Sequence, residues 1–203
     1  GTSGAMDDIA LRAGNILLGN DENAAGVEIA FAPFKLRFNA DAAFALTGAD
    51  GGAELNGRLL PPWWRACAHA GDILVLKAMS RGARSYLTVA GGIHVPLVLG
   101  SRSTQLRGEF GGFHGRALQP GDILPCDRSE SPDDAGELGA EPADIALRQR
   151  TLASGARRIR VIIAGEYDRY DEAARQLFWH TDWRVTPQSN RYGYRLEGPP
   201  VQP

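Results

Sequence analysis

AFALTGADGGAELNGRLL, residues 43–60, decides the fold. A short apolar run gives way to the turn-rich TGADGG, and LNGR follows almost at once. The Asn56-Gly57 pair is a hairpin signal, because the tight turn it favours needs positive φ at both central residues. Working outward, VEIAF (27–31), KLRF (35–38), ILVLK (73–77) and RSYLTVAGG (84–92) are also short apolar or alternating runs, with Gly, Pro, Asn and Asp between them. Many short strands with closely spaced turn signals predict a mainly β chain, a barrel or a sandwich, with a few short helices.

The period differs in two places. In MDDIALRAGNILLG, residues 6–19, the residues Met6, Ile9, Ala10, Ala13, Ile16 and Leu17 recur at three- and four-residue spacing, which predicts a helix with one apolar face. Ser3 is a candidate N-cap, Asp7 and Asp8 suit the positive end of the helix dipole, and Gly19 is a stop signal. YDEAARQLFW, residues 170–179, predicts a second, brief helix with Ala174, Leu177 and Phe178 inward. Between them DRSESPDDAGELGAEPAD, from Asp127 to Asp144, is rich in acid, Ser, Pro and Gly. It carries too few large apolar groups to offset the entropy of ordering it, so residues 127–156 are expected to be a loop or linker. That makes 1–126 a first β unit and 157–203 the start of a second, with RRIRVIIAGEY as a strand and WRVTPQSNRYGYRLEG as strand, turn, strand.

The 203 residues are 43% hydrophobic and 23% charged, which suits an ordinary globular chain with a real core. A formal net charge of -2 gives no basic surface for nucleic acid. The cysteines, Cys67 and Cys126, have neither metal-ligand nor redox spacing. No apolar run approaches the ~18 residues that would span a bilayer. No membrane partner is therefore expected, and a cytoplasmic location is.

The densest chemistry lies in GSRSTQLRGEFGGFHGRALQPGD, residues 100–122. It lacks the Gly-Lys-Ser/Thr ending of a P-loop and does not lead into a strong helix. What remains is Arg102 beside the hydroxyls of Ser103 and Thr104, and glycines such as Gly111 and Gly112 whose N–H groups can be exposed. Such a set suits a carboxylate or phosphate held by a bidentate guanidinium. A basic, glycine-rich turn is the other reading, since glycines chiefly report backbone geometry. PQSNRYGYRLEG, residues 187–198, poses the same choice: Ser189, Asn190, Arg191 and Arg195 surround Gly193, as an anion clamp or as an ordinary β-turn.

Other signals carry less. His69, His94, His114 and His180 share no metal-ligand spacing, so no metal site is expected. LKAMSR has its Lys and Met in the wrong order for a biotin attachment site, so no covalent biotin is expected in this chain. Asp7 and Asp50 stand beside glycine turns that they would cap or close. Trp63 and Trp64 would line a pocket or pack on the core. No catalytic residue can be named from the sequence.

Taken together, SGAMD, LTGAD, YLTVAGGIHVPLVLGSRSTQLRGEFGGFHGRALQPGD and SNRYGYRLEG, in this order and spacing, resemble the allophanate hydrolase subunit 2 family over nearly the whole chain. That family includes the C component of bacterial 5-oxoprolinase, KipA-like regulators and the carboxyltransferase portion of urea carboxylase. The resemblance implies cyclophilin-like β-barrel halves, the second truncated, in an interior piece of a longer protein. It implies one component of an ATP-dependent cyclic amide hydrolase that opens 5-oxoproline to glutamate. ATP with Mg would be used by a complex with a KipI-like B-type partner and an A-type partner. Arg102, Arg191 and Arg195 would then clamp anions, with Ser103, Thr104, Ser189 and Asn190 orienting and Gly111, Gly112 and Gly193 offering backbone N–H groups. The alternatives within the family are a regulator binding a KipI-like kinase inhibitor, with Trp63 and Trp64 at its interface, and a carboxyltransferase for urea or a related amide.

Overall fold

The computed structural model describes residues 3–127, 136–140, 160–191 and 193–202. Contacts divide the chain into two units, Gly1–Ile145 and Ala146–Pro203. In the first, the Asn56-Gly57 turn forms as its sequence requires, with φ of 50° and 82°, and joins β4 (Glu54–Leu55) to β5 (Arg58–Leu59). Those strands share a four-stranded sheet with β2 (Phe34–Arg37) and β7 (Ile73–Leu76), in the order β2-β7-β4-β5. The second sheet is built from β1 (Val27–Ile29), β3 (Ala42–Asp50), β6 (Trp64–Ala68), β8 (Arg81–Val89) and β9 (Leu138–Gly139), in the order β1-β8-β3-β6-β9. Every pairing within the two sheets is antiparallel. The five runs that the sequence marks as apolar or alternating are strands; β6 carries no such mark, because its Trp-Arg-Ala-Cys-Ala composition hides it.

One apolar core fills the space between the sheets. Phe44 and Leu46 of β3, Ala66 and Ala68 of β6, and Leu87 and Val89 of β8 meet Leu55, Leu74 and Leu76 from the facing sheet. The other face of β3 and β8 carries the helix α1 (Asp8–Leu17). Both faces of these strands are thus buried, which is why AFALT reads as a continuous apolar run and not as an alternating one. The N-cap of α1 is Asp7 and not Ser3: its carboxylate accepts the Ala10 N–H at 3.1 Å. Gly19, with φ of 71°, ends the helix, its N–H bonding the Ile16 carbonyl at 3.0 Å. Ala10 and Leu17 are buried, whereas Met6, Ile9 and Ile16 are exposed, so the buried stripe is narrower than the apolar one.

Gly14 is the point of closest approach. A Cβ there would lie 2.8 Å from Thr88 Oγ1 and 3.2 Å from Thr47 Oγ1. Thr47 in turn donates its hydroxyl to the Ala10 carbonyl at 2.6 Å. Beside it Asn15, fully buried, donates to the carbonyls of Ala24 (2.8 Å) and Glu22 (3.3 Å) and accepts from Asn20. Asn20 reaches across to the Val89 carbonyl and receives the Gly91 N–H, both at 2.9 Å. The end of the helix is therefore tied to the end of β8, where the glycine-arginine loop begins.

Trp63 is buried with Ala10 and Tyr86, 1% exposed, and Trp64 is half-buried. Trp63 packs on the core, the commoner of the two readings of the pair, and is not available for the interface that the regulator alternative would give it. The acidic stretch supplies β9 to the sheet edge, and Glu137 pairs with Arg58 at 2.6 Å, so 127–156 is not only a linker; residues 128–135 and 141–159 lie outside the described residues.

In the second unit, α2 (Glu172–His180) is capped by Asp171, and β10 (Arg184–Val185) pairs with β11 (Leu196–Glu197). Two expectations fail here. The described part of RRIRVIIAGEY, from residue 160 on, forms no strand, and Leu177 and Phe178 are exposed, as are Val161, Ile162 and Ile163. The reason is common to both. No described residue of this unit is buried, so neither the apolar run nor the helix face has a core to join.

Replacing Gly14 with Val should lower unfolding stability by about 2 to 3 kcal/mol, the cost of forcing methyl groups into a packed interface. Urea unfolding checks it; an unchanged midpoint would mean that the helix can retreat from Thr88.

Candidate functional site

The loop after β8 is closed at its base. Ile93 bridges to Cys126, and the His94 N–H bonds the Pro125 carbonyl at 2.8 Å. Inside it, Val98 and Ser101 exchange backbone bonds of 2.8 and 3.0 Å around Leu99 and Gly100, both at positive φ. A second bridge joins Gln105 to Phe110. The result is a folded platform and not an extended tether.

Its glycines serve close approach. A Cβ on Gly111 would meet the Ser103 carbonyl at 2.5 Å, one on Gly112 would overlap Thr104, and one on Gly115 would meet the Glu109 carbonyl at 2.2 Å. All three also take left-handed φ, of 70°, 51° and 68°. The structure thus brings Ser103 and Thr104 against Gly111 and Gly112, the grouping that the sequence motif spells out. Arg102 lies on the surface and donates from Nη1 to the Val95 carbonyl at 2.8 Å, leaving other guanidinium N–H groups toward solvent. The Ser101 and Ser103 hydroxyls are 2.7 Å apart, so Ser103 also helps to shape the loop.

A depression of about 600 Å3 opens beside this platform, with Val95, Glu109, Phe110, Phe113, His114 and Ile123 among its walls. Arg116 follows the wall residue Gly115 in the chain. Its guanidinium makes a two-pronged pair with Asp122, 2.7 and 2.8 Å, and stacks 5.7 Å from the Phe113 ring centre. The Arg116 pair, together with the Gln119 N–H at 2.7 Å, holds the Asp122 carboxyl down to about 2. Among the described residues no group of three His, Cys, Asp or Glu side chains could hold a metal ion. His94 pairs with Asp127 at 2.8 Å and His69 with Asp41 at 3.5 Å. Asp7 and Asp50 act as caps, Asp50 accepting the Gly52 N–H at 3.0 Å. Neither Cys67 nor Cys126 forms a disulfide among the described residues.

A polar cluster that sequence reasoning missed lies at the start of α1. The buried Tyr86 hydroxyl accepts the Asp7 N–H at 2.8 Å and donates to Glu28 at 3.0 Å, and Glu28 also accepts the Met6 N–H. Burial, more than its neighbours, pushes the Tyr86 phenol well up. No spacing signal joins Glu28 to Tyr86; only the β1-β8 register, where they are partners, does.

In the second unit the PQSNRYGYRLEG segment is a hairpin end. Ser189 Oγ accepts the Arg195 N–H at 2.8 Å, and Asn190 and Gly193 exchange backbone bonds of 3.0 and 3.2 Å. Arg191 and Arg195 stand on its surface. Ser189 and Gly193 thus have turn-forming roles.

Comparison with known proteins gives this arrangement a family. The model described as carboxyltransferase domain, subdomain A and B, matches residues 1–203. The chain belongs to that family. The carboxyltransferase domain seen here is 43% identical, over 195 residues, to the C component of 5-oxoprolinase from Escherichia coli (strain K12), a match covering 96% of this chain and 59% of that protein. The chain therefore spans about three fifths of that relative's length. Among solved structures it superposes on TTHA0988 with a TM-score of 0.78 at 29% identity, covering 98% of this chain and 37% of that one. On the K. lactis urea amidolyase it superposes with a TM-score of 0.75, also at 29% identity, covering 97% of this chain and 12% of that one. No helix among the described residues is long and apolar enough to cross a membrane.

The Asp122 carboxyl is lowered from the ordinary 3.8 to about 2, so its contribution is complete above 3.8 and is lost as pH falls toward 2. Asp122→Asn should melt below the parent at neutral pH, with the gap closing through that acid window. A gap constant across the window would show that the pair does not hold the loop.

Proposed function

We propose that this chain serves as the C component of a multi-subunit, ATP-dependent 5-oxoprolinase, which opens the 5-oxoproline lactam to glutamate. The observation that carries the reading is the platform of residues 93–126, with a surface guanidinium at the edge of a depression of small-molecule size, in a chain 43% identical to a 5-oxoprolinase component. The substrate is a five-membered ring bearing a carboxylate, and opening it breaks the ring C–N bond and adds the elements of water. Arg102, Arg191 and Arg195 hold carboxylate or phosphoryl oxygens, since a planar fork matches either geometry. Ser103, Thr104 and Asn190 orient those oxygens; Ser189 and Gly193, whose hydroxyl and N–H are bonded within the hairpin, keep it in shape, and Gly111 and Gly112 let the loop close against Ser103 and Thr104. Holding the ring in one pose is itself a large part of the rate such a complex gains.

The described residues do not fit an ATP site. Gly111, Gly112 and Gly115 are packed against neighbouring backbone and side chains, no P-loop is present, and no acidic cluster suits Mg. ATP chemistry is therefore assigned to the A-type and KipI-like B-type partners, in the cytoplasm.

A second reading, carboxyl transfer to urea or a related amide, draws on the likeness to urea amidolyase. It needs a biotin carrier and a carboxylase supplied from outside these residues.

The experiment is reconstitution. The full-length protein is combined with its A- and B-type partners, and glutamate and ADP are followed. Omitting this protein should abolish turnover; unchanged turnover ends the proposal, and bicarbonate- and biotin-dependent turnover of urea would move it to the second reading. Arg102→Lys and Arg191→Lys keep the charge but lose the fork. Each should raise KM roughly ten- to a hundredfold, as loss of a charged hydrogen bond does.

A further inference from the structure

Among the walls of the depression, two residues are out of keeping with their backbone. Glu109 and His114 both take left-handed φ, 54° and 56°. Glycine and asparagine occupy that region at lower cost than Glu, and His, although it enters it more readily than most residues, is still uncommon there. The same loop does use glycine at left-handed positions 111, 112 and 115, where neighbouring atoms leave no room for a side chain. At 109 and 114 it retains ionisable side chains instead, and both border the same depression. A side chain kept against its backbone preference points to a use for its end group.

Those end groups are available. The Glu109 carboxylate has no hydrogen bond or ion pair among the described residues. The His114 and Phe113 rings form a T-shaped pair, centres 4.3 Å apart, which steadies the imidazole, and no hydrogen bond or ion pair holds its nitrogens among the described residues. His94, the other imidazole in the walls, is already paired with Asp127 at 2.8 Å. Phe110, Phe113 and Ile123 supply the apolar remainder. Arg102 stands at the edge, bonded to the carbonyl of the wall residue Val95.

We propose that Glu109 and His114 form the subsite that reads the amide edge of a small lactam. A lactam ring holds its N–H and C=O on the same side, so one acceptor and one donor placed together recognise it. Glu109 accepts from the ring N–H, His114 donates to the ring carbonyl, and Phe110 and Phe113 cover the methylenes. A carboxylate on the ring is left to Arg102. This assignment rests on the 5-oxoprolinase reading and deepens it by naming which residues set substrate class.

The test separates the two halves of the ligand. The full-length protein is titrated, by calorimetry or NMR, with 2-pyrrolidinone, a lactam without carboxylate, and with cyclopentanecarboxylate, a carboxylate without amide. Glu109→Gln and Glu109→Asn should each weaken 2-pyrrolidinone roughly ten- to a hundredfold, the loss of one hydrogen bond to a charged group, and His114→Asn should weaken it roughly three- to tenfold, the loss of one ordinary hydrogen bond. Cyclopentanecarboxylate should bind them as it binds the parent, and Arg102→Lys should show the reverse pattern. The two Asn variants should melt at or above the parent temperature, because Asn suits the left-handed backbone. That combination of kept stability and lost amide binding is not what a structural role gives. Parent-like binding of 2-pyrrolidinone by these variants, equal loss of both ligands, or no 2-pyrrolidinone binding by the parent overturns the assignment. If turnover requires this protein while amide binding ignores Glu109, only the subsite falls. If amide binding depends on Glu109 while turnover does not need the protein, the 5-oxoprolinase reading falls and the subsite stands.

Discussion

A hydrogen atom where any other residue has a Cβ holds the glycine-arginine loop in shape. Gly112 faces Thr104, and Gly111 and Gly115 rest on the carbonyls of Ser103 and Glu109, so a side chain at any of the three would push two layers of loop apart. The depression exists because those layers stay in contact. Further along the loop, Arg116 and Asp122 close residues 116–122 with a two-pronged pair. What the glycines contribute is thus close approach first and donor N–H groups second. Their conformation is a precondition for chemistry carried by other side chains.

The platform inherits its position from the helix. Asn15 and Asn20 link the end of α1 to the Val89 carbonyl and the Gly91 N–H, just before the loop closes at Ile93. Gly14 allows the helix close enough for that link to form. Asn15 is fully buried and its side chain is satisfied, so losing its partners would strand a buried amide. The fold and the site are coupled through a handful of amides and not through a broad apolar contact.

Much of the first unit is legible because its signals are local. Asn56-Gly57 demands a hairpin through its own dihedrals, and VEIAF, KLRF and ILVLK carry β-branched or alternating residues. The helix too is legible, although Asp7 takes the cap from Ser3, which sits at positive φ before a glycine turn. RVII misleads for the opposite reason: a strand needs a partner, and composition cannot supply one. The candidate site divides in the same way. Arg102, Ser103 and Thr104 can be grouped with Gly111 and Gly112 because the motif spells them out. Glu109 and His114 cannot be singled out, since a left-handed backbone at a bulky residue leaves no trace in hydrophobic period, and the Glu28–Tyr86 contact depends on strand register alone.

The placement of the tryptophans has an optical consequence. Trp63 lies in the first unit, 1% exposed, with no hydrogen bond to its Nε1 among the described residues. Trp179 lies in the second, 46% exposed, with its Nε1 bonded to the Tyr167 hydroxyl at 2.9 Å. An indole in a dry apolar setting emits toward the blue and is sheltered from dissolved quenchers, whereas a wet one emits toward the red and is open to them. Trp63 and Trp179 therefore report on different units: iodide quenches the exposed indole more than the buried one, while the half-buried Trp64 and Trp183 respond between them.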